Sequence, residues 1–181
     1  MVVDAGQTFA PGNYYPREKE QRLIKARLIA ESYKNAGVDA MALGAQDWQL
    51  GEDLRSVINA FDLPVVAANL TCGGEAPWPA FRVVERGALR LGIVGLTEGD
   101  VAGCEVSAPG PALEAAIQAL PEVDAIIALL PQRNREVESL VVGAPAIDLV
   151  VHGRGGRSTA TPEPVGRSWM FFHGIRGKQL G

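Results

Sequence analysis

Apolar positions recur along the chain with two alternating periods, and each change of period marks a new element. Val2-Val3-Asp4-Ala5-Gly6 reads as the end of a strand. In Arg17–Ala36, Leu23, Ala26, Ala30 and Tyr33 fall on one stripe of a helix, and Gly37 is its natural stop. Val38–Leu43 is a short strand. Leu54, Val57, Ile58 and Phe61 follow the i, i+3, i+4, i+7 rule of a second helix, opened by Glu52 and Asp53. Pro64–Asn69 reads as another buried strand. Phe81–Glu85 and Leu89–Leu96 flank Arg86-Gly87-Ala88, the pattern of a β-hairpin. Leu113, Ala116, Ile117 and Leu120 then form a helical stripe after Pro111. Asp124–Leu130 is a strand, Glu136–Val142 a helix ended by Gly143, and Ile147–His152 a strand. Trp169-Met170-Phe171-Phe172 holds one more strand.

Strands alternating with helices imply a largely parallel sheet covered on both faces, with ligands at the carboxyl ends of the strands. Those ends read Asp4-Ala5-Gly6-Gln7, Gly44-Ala45-Gln46-Asp47, Asn69-Leu70-Thr71, Leu130-Pro131-Gln132 and His152-Gly153-Arg154-Gly155-Gly156. Glycine- and amide-bearing corners are thus expected on one rim. Cys72–Ala80 and Glu98–Pro111 read as insertions into the pattern.

Composition narrows this picture. The 181 residues are 47% hydrophobic and 21% charged, a globular mixture that fits one domain over 1–181, or part of a larger protein. The net charge of -4 gives no general attraction to nucleic acid or anionic membrane. No apolar run approaches the roughly 20 residues of a membrane span. Asp4 follows Met1 too closely for a signal peptide, so an exported protein would have lost that segment. The two cysteines, Cys72 and Cys104, form neither a disulfide scaffold nor a zinc site. They read as two buried or loop thiols, Cys72 the more exposed, while any pairing between them depends on geometry.

The order of the corners resembles that of the 5'-nucleotidase group of calcineurin-like metallophosphoesterases. There the corners read Asp-x-His, Gly-Asp, Gly-Asn-His-Glu-Phe-Asp-x-Gly, an Asn after a Pro-led strand, Ser-His and Gly-His-x-His. Gly6-Gln7 sits at the Gly-Asp corner, and Gly44-Ala45-Gln46-Asp47-Trp48-Gln49-Leu50-Gly51 overlays the Gly-Asn-His signature. Leu63–Leu70 matches the strand that follows, and Leu91–Leu96 the strand after the hairpin. Ile126–Pro131 lies at the Ser-His strand, and Ile147–Gly156 at the last motif. The resemblance implies an α/β sandwich with mixed sheets flanked by helices, without the family's first strand and last strands. It also implies a portion of a longer protein, exported to the periplasm or cell surface.

The departures from the pattern fall on the metal ligands. Gln7 stands for the bridging Asp, Ala45 for the Asn and Gln46 for the catalytic His. Pro131 stands for the Ser-His ligand, and Arg154 and Gly156 for the final pair. Two divalent ions need several carboxylates and imidazoles to offset their repulsion, and Arg154 would repel a cation. Without metals no hydroxide nucleophile forms near neutral pH. The expectation is therefore a catalytically degenerate domain without cofactor, binding or scaffolding a protein partner or a further domain of its own chain. One alternative is a phosphoester hydrolase whose ligands come from elsewhere, or from Asp4, Asp47, Asn69 and His152. Another is a metal-free site for phosphate or nucleotide, with Gln7, Gln46, Asp47, Asn69, Arg154 and Gly156 as its vestigial or ligand-binding residues.

The remaining side chains carry little chemistry. Arg133, Arg135, Arg154 and Arg157 read as an anion pocket or as solvated charges, and the second reading is preferred except for Arg154, which its loop turns inward. Asp47 and Trp48 read as a helix-start acid and a core-edge aromatic. His152 reads as a packed strand residue, and His173 has no evident partner. Neither histidine stands near a Ser or Cys nucleophile elbow, and Gly153-Arg154-Gly155-Gly156 lacks dinucleotide-loop spacing. Asn69-Leu70-Thr71 is a glycosylation sequon by form alone, placed directly after a buried strand.

Overall fold

The computed structural model describes residues 1–10, 16–154 and 161–172. Two sheets face each other, with helices on the outside of each. The smaller sheet pairs β1 (Val3–Asp4) with β2 (Ala40–Met41) in parallel, Val3 opposite Ala40. The larger sheet contains β4 (Phe81–Arg86), β5 (Leu89–Gly95), β7 (Ala125–Leu130), β8 (Leu149–His152), β9 (Glu163–Val165) and β10 (Ser168–Phe172). Its spatial order is β4-β5-β7-β8-β10-β9. The four central strands run parallel, and antiparallel β4 and β9 close the edges.

Side-chain alternation assigns each face to a layer. Around β2, Met41 and Leu43 join a core with α1 (Lys19–Ala36) and α2 (Glu52–Phe61), which contribute Ala26, Ala30, Leu54 and Ile58. Burying each large apolar side chain there is worth about 1.5–3 kcal/mol. Ala40 and Ala42, on the opposite face, join Ala5, Val66, Ile93, Ile127 and Leu129 between the two sheets. Three alanines in that layer let the sheets approach closely. The far face of the larger sheet presents Val94, Ala128, Leu130, Val150, Met170 and Phe172 to α3 (Pro109–Gln118) and α4 (Asn134–Gly143).

Most expected elements are present, with instructive shifts. Helix α1 buries Ala26 and Ala30 on the expected stripe and ends at Gly37, whose left-handed φ of 64° suits a glycine C-cap. The hairpin forms with Phe81 opposite Val94 and Arg86 opposite Leu89. Helix α3 starts before Pro111, because prolines are tolerated in a first turn, and it ends before Leu120. The expected strand 38–43 shrinks to Ala40–Met41. The expected strand Pro64–Asn69 is replaced by a crossing segment. Val65 bridges Met41 in the smaller sheet, but the Ala67 and Ala68 amides donate to the Pro79 and Gly95 carbonyls. The stretch is buried because it passes between layers, and burial alone mimics a strand.

The two stretches read as insertions meet each other. β3 (Leu70–Cys72) pairs antiparallel with β6 (Cys104–Val106), and Cys72 lies opposite Cys104. The reading of two thiols is corrected here: Cys72 and Cys104 are joined by a disulfide, with Cα atoms 4.1 Å apart. Among the described residues, no helix is long and apolar enough to cross a membrane.

Candidate functional site

The carboxyl ends of the strands form a rim, and the loop after β1 meets the loop after β2 there. Gln7 follows Gly6 with a left-handed φ of 69°, and its carboxamide lies flat against Gly44. A Cβ at Gly44 would stand 2.4 Å from Gln7 Nε2, so a larger residue there would displace the carboxamide. Gln7 Oε1 accepts from the Gln46 amide at 3.1 Å. Gln7 and Gln46, from two separate corners, are thus brought together. Gln7 Nε2 is buried with no partner among the described residues.

Asp47 opens a short 3-10 turn, Asp47–Leu50, as a helix-start acid should. Its role is larger than that, because it is fully buried. Oδ2 accepts from the Gln7 and Gly44 amides at 2.8 and 2.9 Å, and Oδ1 from the Phe9 amide at 2.7 Å. Burial pushes the carboxyl up to about 6, against the pull of these three N–H donors toward the charged form. Asp47 therefore shapes the loops rather than presenting a free carboxylate. Asp4 is similarly engaged, accepting from the Gly6 amide and from the hydroxyls of Thr8 and Tyr33. Burial, reinforced by the neighbouring Asp4 carboxylate, raises the Tyr33 hydroxyl, which stays protonated as a donor.

A second set of polar residues joins the remaining strand ends. Asn69 Oδ1 accepts from the Thr97 amide at 2.7 Å, and Asn69 Nδ2 donates to the Thr97 carbonyl at 3.0 Å. The Thr97 hydroxyl accepts from Trp48 Nε1 at 2.8 Å and donates to the Leu43 carbonyl at 2.7 Å. Gln132 Nε2 reaches the same Thr97 carbonyl at 3.1 Å. His152 Nε2 lies 2.9 Å from the Gln132 carbonyl, and its ring meets Phe172 edge-on. Asn69, Thr97, Gln132 and His152 are all buried. His152 is indeed packed within the strand layer, and Trp48 stacks at 6.0 Å from Trp78.

Arg154 departs from expectation. It is exposed rather than turned inward, and its guanidinium binds both carboxylate oxygens of Glu98 at 2.7 Å. A residue that the resemblance places at a metal-ligand position instead bridges two loops. Arg133 and Arg135 are exposed at the start of α4. Gly156, Arg157 and His173 lie outside the described residues. The sequence reading placed the corner Leu130-Pro131-Gln132 on the rim but missed Thr97 and Glu98. Their one available signal was position, just beyond the end of β5.

Among solved structures, the Thermus thermophilus sulfate thiohydrolase SoxB matches 95% of this chain and 33% of its own, with a TM-score of 0.80 and 20% identity. The chain has the metallophosphoesterase fold. A 5'-nucleotidase from Staphylococcus aureus matches 97% of this chain and 39% of its own, with a TM-score of 0.79 and 16% identity. The NAD nucleotidase of Haemophilus influenzae matches 92% and 31%, with a TM-score of 0.73 and 15% identity. The chain therefore spans about a third of the length of these proteins. No family model and no curated protein matches it.

The metallophosphoesterase fold implies a pair of divalent ions at this rim, and the residues present do not fit them. Two ions need converging carboxylates and imidazoles. Among the described residues, no three His, Cys, Asp or Glu side chains converge on one point. Gln7, Asn69 and Gln132 offer neutral amides, while Asp4 and Asp47 each already accept three local hydrogen bonds.

Proposed function

We propose that this chain is a metallophosphoesterase-fold domain that acts as a binding or structural module rather than as a hydrolase. The observation that carries the reading is the buried hydrogen-bond network from Asn69 through Thr97 and Gln132 to His152. It joins the strand ends through buried side chains, at the rim where the resemblance expects the metal centre. Its paired groups hold the strand ends in one arrangement, which serves a scaffold, while Gln132 Oε1 has no partner among the described residues. The rival set of ligands, Asp4, Asp47, Asn69 and His152, is weakened because each side chain already has an internal partner.

The Cys72–Cys104 disulfide favours an oxidising compartment, in line with a periplasmic or cell-surface location. The fraction of its neighbours that the chain spans is compatible with one domain of a larger protein, or with a part completed by a partner.

The test is metal analysis of the purified protein together with hydrolysis assays on p-nitrophenyl phosphate and AMP. We expect well under one ion per chain and no turnover above a no-enzyme control when manganese or zinc is added. Near-stoichiometric metal with turnover would overturn the reading. Thermal shifts with phosphate, AMP and ATP separate a structural module from an anion binder, and a shift removed by Arg154→Ala would mark the latter.

A further inference from the structure

Helix α1 is apolar on two opposite faces. Leu23, Ala26, Ala30 and Tyr33 turn to the core, but Ile24 and Leu28, one turn apart, are 61% and 62% exposed. A helix on the outside of a sandwich needs only the inner stripe. On the outer side Lys25, Arg27 and Lys34 are exposed and make no ion pair with a described residue. They outnumber the helix's acids, Glu20 and Glu31, in a chain of net charge -4. The outward face of α1 is thus an apolar ridge with a basic surround.

The opposite outer face carries a matching groove. It runs between α3 and α4, encloses about 540 Å³, and has Leu113, Ile117, Leu140 and Ala144 along it. Its charged lining is acidic throughout: Glu114 of α3 and Glu136 of α4 are exposed, and neither makes an ion pair with a described residue. Each helix also sets a glycine here, Gly110 and Gly143, with no left-handed φ to require it. A Cβ at Gly143 would meet nothing within 4 Å, and one at Gly110 only Leu140 Cδ2, at 3.8 Å. Alanine would fit both positions and suit a helix better. What the glycines keep is the width of the groove.

We infer that the outward face of α1 docks in the α3–α4 groove of a second copy of this chain. Ile24 and Leu28 enter between the two helices, as the anchors of a helix seated in a groove do. Lys25 and Arg27, on the flanks of that pair, then lie against the acidic walls formed by Glu114 and Glu136. The layers run from α1 and α2 through the smaller and larger sheets to α3 and α4, so the two surfaces lie on opposite faces of the molecule. Such a contact is heterologous and does not close between two copies, which therefore stack in an open series. One helix face is a small interface, and the association is correspondingly weak. Both surfaces are made of described residues and share none with the rim. The inference thus goes beyond the proposed role of the rim and does not depend on it.

The test is sedimentation equilibrium of the purified protein from roughly 10 µM to 1 mM. We expect an average mass that rises with concentration past that of a dimer, and less so at raised salt, because the flanking charges are exposed. Ile24→Ser/Leu28→Ser on one surface, and Gly143→Gln on the other, should each weaken association by about tenfold or more. Both changes fall on exposed positions, and circular dichroism checks that the variants fold. The decisive arm mixes the two variants. One intact groove then meets one intact α1, so the mixture should form an equimolar dimer and stop there, while each variant alone stays monomeric. A wild-type protein still monomeric at about 1 mM, a mixture no heavier than its parts, or an assembly that either variant leaves intact would overturn the inference.

Discussion

The sharpest quantitative consequence concerns Asp47. Its carboxyl is fully buried and titrates at about 6, against 3.8 in an unfolded chain. Between those values the folded protein holds a proton that the unfolded chain has released. The resulting contribution to stability is fully present below about pH 4 and is lost as pH rises through about 6. A difference from 3.8 to about 6 corresponds to about 3 kcal/mol, at about 1.4 kcal/mol per pH unit. Asp47→Asn removes the titration while keeping the size. Near neutral pH the variant also sets its NH2 against a buried backbone donor, the Phe9 amide or the Gln7–Gly44 pair, costing about 1–3 kcal/mol. The assay is urea unfolding of both proteins from about pH 3.5 to 7.5, a range that brackets both pKa values. Other carboxylates titrate alike in the two proteins and cancel in the difference. Wild type should gain about 3 kcal/mol over the variant on going from neutral to acid pH. A difference that stays flat with pH would refute the assignment of a raised, buried Asp47.

Further consequences rest on single contacts. The disulfide closes a separation of 32 residues, so Cys72→Ser/Cys104→Ser, or reduction, should cost about 3–4 kcal/mol and lower the melting temperature by roughly 10 °C. Thr97→Val keeps the shape but strands the Trp48 indole N–H and the Leu43 carbonyl; denaturant titration should show a loss of about 2–5 kcal/mol. Gly153→Ala drives a Cβ into the Ala5 carbonyl, and the melt should report a loss of about 3 kcal/mol or more. Arg154→Ala breaks a partly exposed ion pair with Glu98 and should change stability by no more than about 1 kcal/mol. A larger loss would show that this bridge holds the rim.

The periodic signals held wherever one face of an element meets one apolar layer. The stripe Leu23, Ala26, Ala30 and Tyr33 faces the core of α1, and the alternation in β10 buries Met170 and Phe172. They misled at Pro64–Asn69, where burial comes from crossing between sheets, and at Cys72 and Cys104, whose stretches pair only with each other. The corners were also readable: Gln7, Gln46 and Asp47 do meet. Their partners were not. Thr97 bonds residues 28 and 54 positions away, and Glu98 finds Arg154 across 56.

By itself, then, the sequence indicated most of the strands and helices, Pro64–Asn69 excepted, and the corner at which Gln7, Gln46 and Asp47 meet. Only the tertiary structure decided that the strands split into three sheets, that Asp47 holds two loops, and that Cys72 meets Cys104. The physical reason is that periodicity records whether a side chain is buried, which is a local property of the chain. What buries it, and which distant donor meets which acceptor, depends on how far one layer extends over the next.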